Sequence, residues 1–208
     1  MRNRLARSGV RFDVDVEALR RFRVMKDEFF AADPSSPLTL RQRARFRGLA
    51  YFPPNPELAV EAGFEVSITS GDVELVTSCG DAERYRRAGV AWFEISGVPA
   101  SVTVFRSGGG RLFVPFRDAT SDTETYVAGR YLGARTVAND RVILLDFNYA
   151  YNPYCAYGPE WRCPIPPLEN HLAVPIRAGE LRYPDPEPPR AAPLAEGLGG
   201  SGPRLRRP

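Results

Sequence analysis

At 208 residues, with 43% hydrophobic and 11% aromatic side chains, the chain has the composition of one ordinary globular domain. Its longest apolar runs, such as Val142 to Leu145, fall far short of the ~18 apolar residues of a helical membrane span, so no membrane partner is expected. The net charge of +3 sits at the ends, with Arg2, Arg4, Arg7 and Arg11 in the first eleven residues and a slightly acidic body behind them, which disfavours nucleic acid as a partner.

Taken in chain order, residues 1–11 read as a basic tail with no apolar stretch after it, so the cytoplasm is the expected compartment rather than a secretory route. Val14 to Phe30 places Val16, Leu19, Phe22, Met25, Phe29 and Phe30 near helical spacing, with charged residues between them. Asp33-Pro34-Ser35-Ser36-Pro37 ends that helix, and Thr39 followed by Gln42 has the pattern of a capping box for a second, short one through Phe46. From Phe64 the texture changes to short β-branched and aromatic runs between Gly, Ser, Asp and Asn. The expected strands are Phe64–Thr69, Val73–Thr77, Val90–Ile95, Val102–Arg106, Arg111–Phe116, Thr125–Val137, Arg141–Phe147 and Leu172–Ile176, with hairpin turns at Ser107–Gly110 and Asn139-Asp140. The 20 prolines and 18 glycines, above the roughly 12% that these two types ordinarily supply, suit many turns and short strands. The expected fold is mainly β (α+β): an antiparallel β-barrel or strongly curved sheet, with two N-terminal helices and a Pro-rich flap. Residues 12–182 form this single domain, and 183–208 read as a disordered Pro/Gly-rich tail.

Chemistry is sparse. With one histidine, His171, acid/base work would fall mostly on carboxylates, Tyr or Cys. Counting back from the Asn139-Asp140 turn places Arg130 and Tyr131 opposite Tyr149 and Asn148. Alternation puts Val142, Leu144, Asp146 and Asn148 on one face, where Asp146 needs a cationic partner and Arg130 is the nearest candidate. Arg117 and Asp118 are expected near Thr125, displaced or continuous with that cluster according to a bend at Gly129. Such a cluster is either a buried ion pair that fixes register or an anion site that uses the forked donors of arginine. The long segment 149–170 is rich in Pro and in aromatics and reads as an ordered flap over one end of the sheet. Cys155 and Cys163 are eight positions apart within it, and His171 follows eight further on. Two buried thiols, a disulfide, a metal site and a reactive Cys155 with a cation beside it are the alternatives, and the spacing lacks the tight chelate pattern of zinc sites.

Several strings together resemble one family, a prokaryotic domain of unknown function numbered 1684. They are Gly48-Leu49-Ala50-Tyr51-Phe52-Pro53-Pro54, Phe113 through Thr120, Glu124-Thr125-Tyr126 with Gly129-Arg130-Tyr131-Leu132, and Asp146-Phe147-Asn148-Tyr149-Ala150-Tyr151-Asn152-Pro153. The last leads through Cys155, Cys163-Pro164 and Glu169-Asn170 to Ala178-Gly179-Glu180. The resemblance spans roughly 20–182, takes in Cys155 and Cys163, leaves out Cys79 and His171, and implies no activity.

The functional expectation is therefore drawn from residues. A small anionic ligand, phosphate-bearing in one version, binds at one end of the barrel under the 149–170 flap, held by Arg117, Asp118, Arg130, Tyr131, Asp146, Asn148 and Asn152. Catalysis, if present, falls on Asp118 or Asp146 as acid/base or on Cys155 as nucleophile. No metal is expected and the cofactor is unknown, since nothing beyond loose architectural analogy points to flavin. The alternative is a non-catalytic module that meets a protein partner, with a structural Arg/Asp cluster.

Overall fold

The computed structural model describes residues 10–67 and 71–186. Most of the basic N-terminal tail, most of the tail from residue 183 and the end of the strand expected at Phe64–Thr69 lie outside the described residues.

Helix α1, Val16–Ala32, starts where Asp15 accepts the Ala18 N–H at 2.9 Å, a side-chain cap on an otherwise unpaired helix donor. Leu19 and Phe30 are buried, and Phe22 meets Tyr149 edge-on. The expected apolar face is narrower than its spacing suggests, because Met25 points outward at 67% exposure and Val16 and Phe22 are also exposed. Helix α2, Leu40–Arg45, opens on the expected capping box of Thr39 and Gln42. The Gln42 amide then donates to the carbonyls of Tyr157 and Asp185 and is fully buried.

The sheet has eight strands: β1 Val10–Arg11, β2 Ala59–Val66, β3 Asp72–Val76, β4 Ala82–Ile95, β5 Val98–Arg106, β6 Leu112–Phe116, β7 Arg130–Val137 and β8 Val142–Asp146. All pairings between them are antiparallel. β2 pairs with β8 through Ala59–Gly63 and with β4 through Gly63–Val66, which closes β2, β8, β7, β6, β5 and β4 into a six-stranded barrel. β1 and β3 lie outside the ring, on β2 and β4. β4 reaches both β3 and β2 because its register shifts between Arg87 and Gly89, a bulge of the kind that bends a strand. Gly89 permits the closure: a Cβ there would sit 2.3 Å from the Glu65 carbonyl oxygen and 2.7 Å from the Phe64 ring.

Both expected hairpins are present. Ala138 accepts from Arg141 N–H across the β7–β8 turn, and Gly110 N–H donates to Ser107 across the β5–β6 turn. A third hairpin, β4–β5, turns at Ser96-Gly97 with φ of 52° and 79°, the two left-handed positions of a tight two-residue turn. Inward residues of alternating strands fill the barrel, among them Val60, Ala62, Phe64, Ala91, Phe93, Val102, Val104, Val114, Phe116, Leu132, Ile143, Leu145 and Phe147.

Two expected strands begin earlier than read, β2 at Ala59 rather than Phe64 and β4 at Ala82 rather than Val90, and two others need correction in kind. Thr125–Val137 is a strand only from Arg130, because the chain bends at Gly129, whose φ is +101°. Leu172–Ile176 has the alternation of a strand, with Leu172, Val174, Ile176 and Ala178 buried in the barrel core and the residues between them exposed. It nevertheless joins no ladder; a single parallel bridge ties His171 to Arg117. Burial on one side of an extended segment imposes the same period of two that pairing would. A second apolar cluster, Phe30, Leu38, Ala156, Tyr157 and Tyr183, joins the helices to segment 150–170.

Candidate functional site

Arg130 opens β7 with its side chain directed into the end of the barrel, where it is completely buried. Its Nη1 donates to the carbonyl of Ala178 at 2.5 Å and to that of Glu180 at 3.2 Å. Its Nη2 donates to the Ile176 carbonyl at 2.8 Å and to Asp118 Oδ1 at 3.2 Å. Asp118 Oδ2 in turn accepts from the backbone of Ile176 at 2.6 Å and from the Thr120 hydroxyl and N–H. The guanidinium therefore does for Ile176–Glu180 what a neighbouring strand would have done: it satisfies carbonyls that burial cuts off from water. Burial pulls the Arg130 pKa down, and the Asp118 carboxylate holds it up.

This arrangement overturns the expected Arg130–Asp146 pair. Asp146 lies on the outer, half-buried face of β8 and caps the turn Phe147–Tyr149 by accepting from the N–H and side-chain amide of Asn148. That three-residue turn also shifts the register. The β7–β8 ladder has Val137 opposite Val142 and Arg135 opposite Leu144 as counted from the turn, yet Tyr131 pairs with Tyr151 rather than with Asn148.

The other expected ligand residues are committed elsewhere. Asn148 accepts from the Asn55 N–H at 2.7 Å and donates to its carbonyl at 2.9 Å. Asn170 makes the same two-bond contact with Thr103 and adds the Pro115 carbonyl. A carboxamide carries one donor group and one acceptor, as a peptide does, so each asparagine stands in for a strand. Asn152 donates its N–H to Glu180 and its amide to the Leu181 carbonyl. Tyr131 donates to the Pro164 carbonyl at 2.6 Å, and burial raises its pKa. Arg117 is half-buried and ties its backbone to Asn170 and Leu172. Arg117, Asp118 and Arg130 are thus neighbours at one barrel end, while Asp146 and Asn148 belong to another contact.

A different group of residues faces open space. Ser78, Asp122, Tyr126, Val127, Cys155, Ala156, Pro159, Arg182, Tyr183 and Pro186 line a cleft of about 410 Å³. One wall is the short helical turn Tyr154–Ala156, and the opposite side comes from the loop before β7 and from the chain after Glu180. The Tyr126 hydroxyl donates to the Cys155 carbonyl at 3.2 Å and lies 3.8 Å from Cys155 Sγ. Cys163 Sγ accepts the Cys155 N–H at 3.3 Å, and Ser78 accepts the Cys163 N–H at 3.0 Å. The neighbouring Cys163 thiol, then the Tyr126 hydroxyl, lower the Cys155 pKa to about 7 against the opposing effect of burial. The same contact and burial raise the Cys163 thiol. At the mouth, Arg182 donates to the Asp122 carbonyl and stands 3.9 Å from its carboxylate, both side chains being largely exposed.

All three cysteines are free thiols. His171 turns its Nε2 to the Pro166 carbonyl, and among the described residues no three His, Cys, Asp or Glu side chains gather as a metal-binding group. No helix among the described residues is long and apolar enough to cross a membrane. Of the cleft residues, sequence reasoning singled out Cys155 as a site candidate; Tyr126, Ser78 and Arg182 come from three separated segments, and only proximity to Cys155 in space marks them.

Similarity to known proteins follows the same body of the chain. A family model described as Protein of unknown function (DUF1684) matches residues 44–181. Among solved structures, five chains match. One is the solution NMR structure of an uncharacterized protein of Haloarcula marismortui, 37% identical, with a TM-score of 0.64 over 80% of this chain and 93% of that one. No curated protein matches.

Proposed function

The chain belongs to the family described as Protein of unknown function (DUF1684), a description that names no activity, and on that premise we propose that it binds a small anionic molecule in the cleft beside Cys155. The observation that carries this reading is the convergence there of a thiol, a phenol, a hydroxyl and a guanidinium around about 410 Å³, a size within the range of small-molecule sites. Segment 149–170 serves as one wall of the cleft, through Cys155, Ala156 and Pro159. At the rim Arg182 spends one Nη2 hydrogen on the Asp122 carbonyl and stands 3.9 Å from its carboxylate, and its remaining guanidinium donors are placed to take a carboxylate or phosphate. The Arg130–Asp118 centre supports the site from behind by holding Ile176–Glu180, the run that leads into Arg182. The exposed Val24 and Met25 of α1 offer a partner only scattered apolar contact, and the cleft offers directed chemistry.

Alkylation tests the reading. Iodoacetate is anionic and iodoacetamide is neutral, so the ratio of their rates at Cys155 reports the field at the cleft, with exposed Cys79 as internal reference. One unit charge about 4 Å from the bound carboxylate contributes about 1 kcal/mol in water, and the Asp122 carboxylate beside Arg182 offsets part of it, so the ratio at Cys155 exceeds that at Cys79 by at most about fivefold at low salt. Arg182→Gln removes the excess. Equal ratios at the two cysteines would exclude an anion-selective cleft.

A further inference from the structure

Nothing in the cleft explains why its thiol is backed by a second one. Cys155 lines open space, Cys163 is buried directly behind it, and the Cys155 N–H rests on Cys163 Sγ at 3.3 Å. The remaining cysteine, Cys79, is exposed and belongs to a different turn, so the pair is a feature of the 154–163 loop and not of a general abundance of cysteine.

We propose that Cys155 and Cys163 form a peroxide-reactive dithiol, with Cys155 the sulfur that meets a small hydroperoxide in the cleft and Cys163 the sulfur that closes the disulfide. The geometry assigns the roles: attack needs access, which Cys155 has, and resolution needs a thiol held beside the attacked sulfur, which is where Cys163 is fixed by Ser78. The Tyr126 hydroxyl, 3.8 Å from its sulfur, and the adjoining Cys163 thiol favour the Cys155 thiolate, the form that reacts.

In the first step the Cys155 thiolate attacks one oxygen of the hydroperoxide. An S–O bond forms, the O–O bond breaks, and the departing hydroxide or alkoxide takes up the proton that Cys155 released. The Tyr126 hydroxyl, 3.8 Å from Cys155 Sγ, is placed to turn its one hydrogen from the Cys155 carbonyl to that leaving oxygen. In the second step Cys163 Sγ attacks the Cys155 sulfenic acid. An S–S bond forms, the S–O bond breaks, and hydroxide leaves as water with the Cys163 thiol proton. Two thiols and one hydroperoxide become one disulfide, one water and one alcohol, or two waters when the oxidant is hydrogen peroxide. The inference depends on the thiol pair and holds whether or not the cleft selects anions.

The test uses the reduced full-length protein with hydrogen peroxide as the probe. Peptide mapping is expected to find a Cys155–Cys163 disulfide with the loss of two hydrogens, while thiol titration after unfolding falls from three groups to one. Cys163→Ser and Cys163→Ala are expected to stop at the sulfenic acid and give a dimedone adduct on Cys155. Cys155→Ser is expected to lose the reaction at Cys163 altogether. The Cys155 rate is expected to rise with pH around a midpoint near 7, against about 8.5 for a free thiol, which separates reactivity from mere access. Oxidation that begins at Cys79 or Cys163, a sulfenic acid on Cys155 that persists in the native sequence, or three thiols surviving peroxide would each overturn the proposal.

Discussion

Replacing Arg130 by methionine removes the one side chain that four acceptors at the barrel end share. The carbonyls of Ile176, Ala178 and Glu180 lose their donor, and Asp118 keeps Thr120 and the Ile176 N–H but no counter-charge. Breaking a buried ion pair by deleting one partner costs about 3–5 kcal/mol, and orphaned carbonyls that water reaches after local relaxation keep the total in that range. For a domain of this length about 4 kcal/mol corresponds to a fall in Tm of roughly 8–16 °C. Arg130→Lys recovers little of it, because one ammonium cannot reach carbonyls and carboxylate in a planar fork. The assay is urea unfolding followed by near-ultraviolet circular dichroism, with the pH profile of Cys155 alkylation measured well below the transition. The expected outcome is a large loss of stability with the midpoint of the Cys155 pH profile unchanged, because Cys163 and Tyr126 set that midpoint and Arg182 does not. Stability within about 1 kcal/mol of the native protein, together with loss of the iodoacetate preference at Cys155, would refute the reasoning and return Arg130 to the ligand site.

Three further perturbations probe the same frame. Asn170→Ala leaves the Thr103 N–H and the carbonyls of Thr103 and Pro115 without their shared partner; a loss of about 3 kcal/mol in urea unfolding is expected, and a loss below about 1 would show that water replaces the amide. Gly129→Ala puts a Cβ 2.5 Å from the Phe116 carbonyl oxygen at a left-handed φ, so a loss of at least about 2 kcal/mol is expected, and an unchanged unfolding midpoint would contradict the bend. Burial raises the Asp146 carboxyl, against the Asn148 hydrogen bonds and Arg23. The folded state therefore binds that proton more readily than the unfolded one, and stability falls as pH rises from about 3.9 through the raised value. Asp146→Asn keeps an acceptor for Asn148 and is expected to flatten this fall when urea midpoints of the two proteins are compared across the window; a native protein that gains on the variant with rising pH would contradict the sign.

The local features of this fold were legible and the non-local ones were not. Thr39 with Gln42 and the Asn139-Asp140 turn each encode their geometry within a few residues, and both formed as read. The count back from that turn failed at Asn148 because Phe147–Tyr149 coils into a helical turn, and three residues leave the ladder on one side only. Arg130 found Asp118 and not Asp146 because an arginine in a strand carries no address for its acid; the barrel end that brings Asp118 and Ile176–Glu180 together exists only after closure. The run Leu172–Ala178 has the periodicity of a strand because one side is buried, and nothing in that pattern distinguishes a ladder from a side-chain latch. For the cleft, Cys155 could be flagged from composition and context, whereas Tyr126 and Arg182 enter it through the bend at Gly129 and the latch at Arg130.

The proposed binding and the proposed dithiol chemistry share one premise, that Cys155 is the activated group of an open cleft. Its most direct test is peptide-resolved alkylation of the native protein by iodoacetamide from pH 5.5 to 9.5, with Cys155 and Cys79 followed in the same sample. A Cys155 midpoint of about 7 is expected, at least one unit below the roughly 8.5 of a free thiol. A Cys155 midpoint at or above about 8.5, or a Cys155 that reacts only once the protein unfolds, would contradict this.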